Sequence, residues 1–155
     1  VIMKRRGPIR IVSVLLLALL TAVPAWAGET RLADPKPGWD NPRKLVLQLT
    51  DDDNRHVNNV LYNAINVQKF YGQDNVKVAV VAFGPGVRAL LKKDSKVADR
   101  VASLRDYDVE FVACGNTLET MGRSAEDLLP GVSVVAFGIP EIMERQLQGW
   151  QVIAP

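Results

Sequence analysis

Cys114, the only cysteine of the chain, is the residue best suited to chemistry. It ends the run Val109-Glu-Phe-Val-Ala-Cys114 and is followed by Gly115-Asn116-Thr117-Leu118. The first run has the apolar, β-branched character of a buried strand, and the residues after it read as a turn into a short helix. A sulfur at such a junction meets free backbone N–H groups and the positive end of a helix dipole, and both favour a thiolate. The chemistry this would serve is nucleophilic attack, or carriage of sulfur as a persulfide. The competing reading is a small buried hydrophobe, which is what most free cysteines are. Thiol–disulfide exchange of the usual kind is excluded, because no Cys-x-x-Cys pair exists.

The neighbours of Cys114 carry two readings as well. Gly115 leaves room beside the sulfur, and Asn116 and Thr117 are hydrogen-bond donors suited to a bound anion. The same three residues are also good turn and helix-cap formers. His56, the only histidine, is expected in the loop after the first strand. There it would be a base or charge partner of the thiolate, or simply a solvated loop residue. Arg88 and Arg123 are further candidates for steering anionic sulfur compounds. Asp51-Asp52-Asp53 has no glutamate at calcium-loop spacing and no mid-loop glycine, and carboxylates before a helix stabilise its N-terminus without any ligand. Gly84-Pro-Gly86-Val-Arg-Ala89 formally fits the dinucleotide pattern but follows the second strand. The acids some twenty residues on, Asp106 and Asp108, precede a strand instead of ending one. No metal and no cofactor is therefore expected.

The elements that must hold these residues alternate regularly. Lys44–Leu49 reads as the first strand. Val57, Val60, Leu61, Ala64 and Ile65 recur at helical spacing up to Gly72. Val76–Phe83 is a second strand, apolar enough to be covered on both faces. Gly84-Pro-Gly86 turns the chain toward Val87, Leu90 and Leu91, and Val97, Val101 and Leu104 continue a helical face. Val109–Ala113 is the third strand, Val132–Phe137 the fourth and Trp150–Ile153 a short fifth. Pro140 is placed as the first residue of a last helix over Glu141–Gln148, stopped by Gly149. Strand–helix alternation predicts an α/β fold with a parallel sheet and helices on both faces. All strand C-termini then open on one edge. Thr50–His56, Gly84–Gly86, Cys114–Thr117 and Gly138–Pro140 would meet there.

The N-terminus is of another kind. Met3-Lys-Arg-Arg6, the apolar run Ile11–Ala22 and Ala25-Trp-Ala27 make residues 1–27 a cleaved secretory signal, too short in its apolar part to span a membrane. The protein is thus expected to be periplasmic or secreted, with no membrane attachment after cleavage. Lys4, Arg5, Arg6 and Arg10 fall in this segment with no acid, so the formal net charge of +2 drops by four to −2 without it. A domain of that charge lacks the basic face that nucleic-acid binding needs. Residues 28–43 are rich in proline, glycine and charge and have no periodicity, so they read as a flexible leader that Trp39 would pin down. Residues 44–155 are long enough to bury a core without disulfides.

Taken together, these residues resemble the DsrE/DsrF-like family of small sulfur-relay proteins. The resemblance runs from about Lys44 to Ile153. It rests on Leu61-Tyr-Asn-Ala-Ile-Asn66, Val78–Gly86, Val109–Thr117, Leu129–Glu141 and Gln146-Leu-Gln-Gly-Trp150. It implies a three-layer α/β/α sandwich with a mainly parallel five-stranded sheet, assembled as a homo-oligomer, a trimer or hexamer. In relay members a cysteine after the third strand accepts sulfur as a persulfide and passes it to a partner protein, and Cys114 occupies the matching place. The resemblance therefore implies a sulfur carrier with Cys114 as acceptor and a sulfur donor or acceptor protein as partner, and the signal segment, a departure from the mostly cytoplasmic relay members, makes it an exported one. The alternatives are a non-catalytic oligomeric binding or assembly module with a buried cysteine, and a binder of small ligands at the sheet edge.

Overall fold

Side-chain alternation along three strands divides the apolar residues between two cores. In the computed structural model, which describes residues 28–155, β1 (Arg43–Leu49), β2 (Val76–Ala82) and β3 (Val109–Cys114) form the centre of a five-stranded sheet. The expected signal segment lies outside the described residues. β4 (Ser133–Val135) and β5 (Gln151–Ile153) are the edges, in the order β4-β3-β2-β1-β5. Every strand pair is parallel, with Leu45 opposite Val78 and Val80 opposite Phe111. Leu45, Leu47, Leu49, Val78, Val80 and Phe111 point to one face, whereas Val46, Val81 and Val112 point to the other. Both sets are buried, so the central strands are covered on both sides, as their apolar sequences predict.

The two faces are covered unequally. On the thicker side lie α1 (Asn54–Tyr71), the 3-10 turn Gly84–Leu90, α2 (Ala98–Asp106) and the short α3 (Gly115–Thr120). On the other side α4 (Gly138–Leu147) contributes Ile142, flanked by Phe83, Val135 and Trp150. Connection handedness accounts for this. The chain steps from β1 to β4 in one direction, then returns across the whole sheet to β5. Right-handed crossovers put helices of opposite stepping direction on opposite faces. The result is the three-layer α/β/α arrangement with a five-stranded sheet, all parallel.

Several boundaries differ from the sequence reading. His56 is not in a loop but in the first turn of α1. Asp53 caps that helix, its Oδ1 accepting the N–H groups of Arg55 and His56 at 3.0 and 3.1 Å. The helix therefore starts before the apolar periodicity does. β4 is three residues, not six, because its partner β3 ends at Cys114, opposite Val135, and Ala136 meets the first turn of α3 instead. The carbonyl of Ala136 there accepts the N–H of Asn116 at 3.0 Å. Pro140 is the third residue of α4, not the first, a place where its missing N–H still costs no helix bond. Trp39 pins nothing: it is 83% exposed, at the tip of a small turn closed by the Gly38–Asn41 bridge. Ala33–Pro155 forms one compact unit, in which the Arg43 guanidinium donates to the Ala33 carbonyl at 2.7 Å.

Candidate functional site

β3 and β4 are neighbours whose following helices go to opposite faces of the sheet: α3 to the thick side, α4 to the thin one. Such a switch point opens a crevice at the carboxyl ends of the two strands, the usual ligand position in parallel α/β sheets. Cys114 ends β3 at this switch point. Gly138, the first residue of the ten-residue α4, donates its N–H to Cys114 Sγ at 3.3 Å. The sulfur thus sits between two helix starts. The backbone approach is close: a Cβ on Gly138 would lie 3.2 Å from Phe83 Cβ and 3.3 Å from Cys114 Cβ, so a side chain there requires its neighbours to shift by a few tenths of an ångström.

Gly138 makes the direct hydrogen bond to the sulfur, and Thr117 and Asn116 lie close enough to act on its charge. Burial by itself pushes the Cys114 thiol up. The hydroxyl and N–H of Thr117, then the N–H groups of Gly138 and Asn116, outweigh it and hold the thiol below its ordinary value. Asn116 contributes least, in keeping with its N–H being shared with the Ala136 carbonyl. Thr117 Oγ1 also accepts the Gly84 N–H at 3.1 Å. That bond ties the end of β2 to the site. Cys114 is 6% exposed, and beside it lies an open crevice of about 290 Å³ lined by Gly115, Asn116, Glu119, Ala136 and Phe137. Cys114 does not itself line the crevice, which begins at the next residue, and its sulfur is supported only by neutral donors.

Thr117→Val is expected to raise the Cys114 thiol pKa. It removes the hydroxyl that favours the charged form of the sulfur. The pH dependence of thiol alkylation measures this, and Thr117→Ser should restore the wild-type profile.

The other candidates are elsewhere. β2 separates β1 from β3, so His56 is displaced from Cys114 by about 10 Å of sheet. Its Nε2 is buried without a hydrogen-bond partner among the described residues. Arg88 faces Asp52 at 3.5 Å and Arg123 faces Asp94 at 3.6 Å, so neither lies at the sulfur. Gly138 was legible only as one of four converging loops; its role as a donor required the strand order.

With this geometry in hand, likeness to known proteins becomes informative. The model of the DsrE/DsrF-like family matches residues 47–155. The chain belongs to the DsrE/DsrF-like family. Among solved structures, this DsrE/DsrF-like chain is similar to MTH1491 of Methanobacterium thermoautotrophicum, described as a protein of unknown function. The identity is 35% over 73% of this chain and 99% of that one, with a TM-score of 0.70. BT1422 of Bacteroides thetaiotaomicron, a conserved protein of unknown function, has 21% identity over 72% and 94% of the two chains and a TM-score of 0.59. The ychN protein of E. coli has 15% identity over 72% and 99%, also with a TM-score of 0.59. These two share the fold. No curated protein matches the chain. DsrE/DsrF-like membership agrees with the three-layer, five-stranded sheet.

Proposed function

We propose that this protein is an exported sulfur carrier of the relay type, accepting sulfane sulfur on Cys114. The observation that carries the reading is the set of donors around one thiol at the β3–β4 switch point, which lowers its pKa despite burial. The Cys114 thiolate attacks the terminal sulfur of a donor persulfide, R–S–SH. A new S–S bond forms, the donor's S–S bond breaks, and R–S⁻ leaves with the electron pair. Cys114 then holds the persulfide and no external oxidant or reductant is consumed. The Gly138, Thr117 and Asn116 donors support negative charge on sulfur before and after transfer. Export rests on the signal-like residues 3–27. Reduced protein incubated with a persulfide donor should gain the mass of one sulfur atom in an intact-mass measurement. A mass that stays unchanged contradicts the reading.

A second reading is an oligomeric assembly module, and it draws on a different observation. Ile139, Met143 and Leu147 recur every four residues along α4 and are 55, 58 and 77% exposed; Phe137 precedes them at 56%. Residues at this spacing form one stripe, and an apolar stripe of this kind suits contact with another copy, in a trimer or hexamer. Met143→Glu combined with Leu147→Glu is expected to convert the oligomer to monomer in light scattering. A monomeric wild-type protein contradicts the assembly.

A further inference from the structure

α4 is a short helix with little apolar surface to hold it. Of its ten residues, Gly138 and Ile142 are buried, so Ile142 is the apolar side chain that anchors it to the sheet. One such anchor leaves a helix free to swing about that point. Yet the N–H of its first residue, Gly138, reaches Cys114 Sγ across 3.3 Å, a contact that a small swing breaks. Arg145, near the other end of α4, supplies a second fixed point. Its Nη1 and Nη2 donate to the two carboxylate oxygens of Glu110 on β3, both at 2.7 Å. Its Nε donates to Glu141, one turn back on the same helix, at 2.6 Å. The Trp150 ring centre lies 4.9 Å from the guanidinium carbon and closes a further side. The Arg145 side chain is 13% exposed. A bidentate pair inside a network of two carboxylates holds a geometry in a way that a lone surface ion pair does not.

This contact joins the same two elements as the cysteine site. Glu110 and Cys114 both lie on β3 with Val112 between them. Alternation puts all three on the α4 side of the sheet, where Val112 and Ile142 share one apolar cluster. Arg145, Ile142 and Gly138 follow in the matching order along α4. The outer two levels are separated by about 13 Å of strand and about 10 Å of helix. We propose that Arg145 is a positioning residue of the Cys114 site: its clamp on Glu110 fixes α4 against β3 and so holds the Gly138 N–H on Cys114 Sγ. The proposal rests on the reading of Cys114 as the reacting group. Arg145 touches neither the sulfur nor a substrate and acts through the helix that carries it.

The pH dependence of Cys114 alkylation, compared between the reduced wild type, Glu110→Thr and Arg145→Met, tests the proposal. Threonine keeps the strand preference of the position but is too short to reach the guanidinium. Circular dichroism checks that each variant keeps its fold. In both variants the midpoint of the rate profile is expected to move to higher pH, because the donor that supports negative charge on sulfur is released. Glu110→Thr is the decisive one. Loss of a carboxylate acts through space in the opposite sense and by itself moves the midpoint to lower pH. Looser packing alone would raise the plateau rate by opening access to the sulfur and would leave the midpoint where it is. Arg145→Lys disturbs the fold least. It keeps the charge but gives up the two-pronged contact, and its midpoint should fall between those of wild type and Arg145→Met. An unchanged or lowered midpoint in folded Glu110→Thr overturns the proposal, as does a wild-type profile in both arginine variants. No sulfur donor is present, so the result is independent of the intact-mass test of sulfur loading, and the two claims can fail separately.

Discussion

Cys114→Ser is expected to abolish sulfur loading completely while leaving the fold in place. The oxygen that replaces sulfur stays protonated near neutral pH and does not form the S–S bond that holds a sulfane atom. The structural cost is small, because a serine Oγ accepts the same Gly138 and Thr117 N–H groups that now face Sγ. The substitution leaves the residue slightly smaller in a position that is 6% exposed, for about 1 kcal/mol of lost stability. Intact mass after exposure to a persulfide donor, together with a circular dichroism spectrum of each protein, separates the two effects. Sulfur gained by the serine variant would place the acceptor on some other group.

The largest stability effect is expected from Gly86→Ala. A Cβ at this position would lie 2.1 Å from the Leu49 carbonyl oxygen, 2.5 Å from its carbon and 2.9 Å from the Thr50 nitrogen. All three are backbone atoms at the end of β1, so no side-chain rotation relieves the clash. Overpacking costs about 1–3 kcal/mol when side chains can adjust, and more when backbone must move. A loss above about 3 kcal/mol in urea unfolding is therefore expected. The 3-10 turn would be lifted from β1 together with Phe83, whose N–H now donates to Leu49 O at 3.1 Å, and with Gly84, which anchors Thr117. The variant should thus also raise the Cys114 thiol pKa. Full stability in Gly86→Ala contradicts the close approach.

The same glycine shows where sequence reasoning reaches and where it stops. Gly84-Pro-Gly86 matches a dinucleotide pattern on paper, yet Gly86 exists to let two backbones touch. The covering of β2 on both faces was readable because its apolar run is local and needs no partner to be seen. The strand-to-helix setting of Cys114 was readable for the same reason. The Gly138 donor was not, since it comes from 24 residues further on and depends on β4 lying beside β3. His56 was misplaced because its helix is started by the Asp53 cap and not by an apolar residue. Arg88 and Arg123 were legible as cations near one sheet edge, but their carboxylate partners come from separate segments.

The rate of Cys114 alkylation in the folded protein, followed from acid to alkaline pH, tests the central claim most directly. The thiolate is the reacting form, and a lowered thiol pKa means that the rate climbs and levels off at lower pH than in the unfolded chain. The donors around the sulfur predict this displaced profile and ready alkylation under native conditions. A thiol that reacts only on unfolding, or that titrates at or above the unfolded value, would contradict the account.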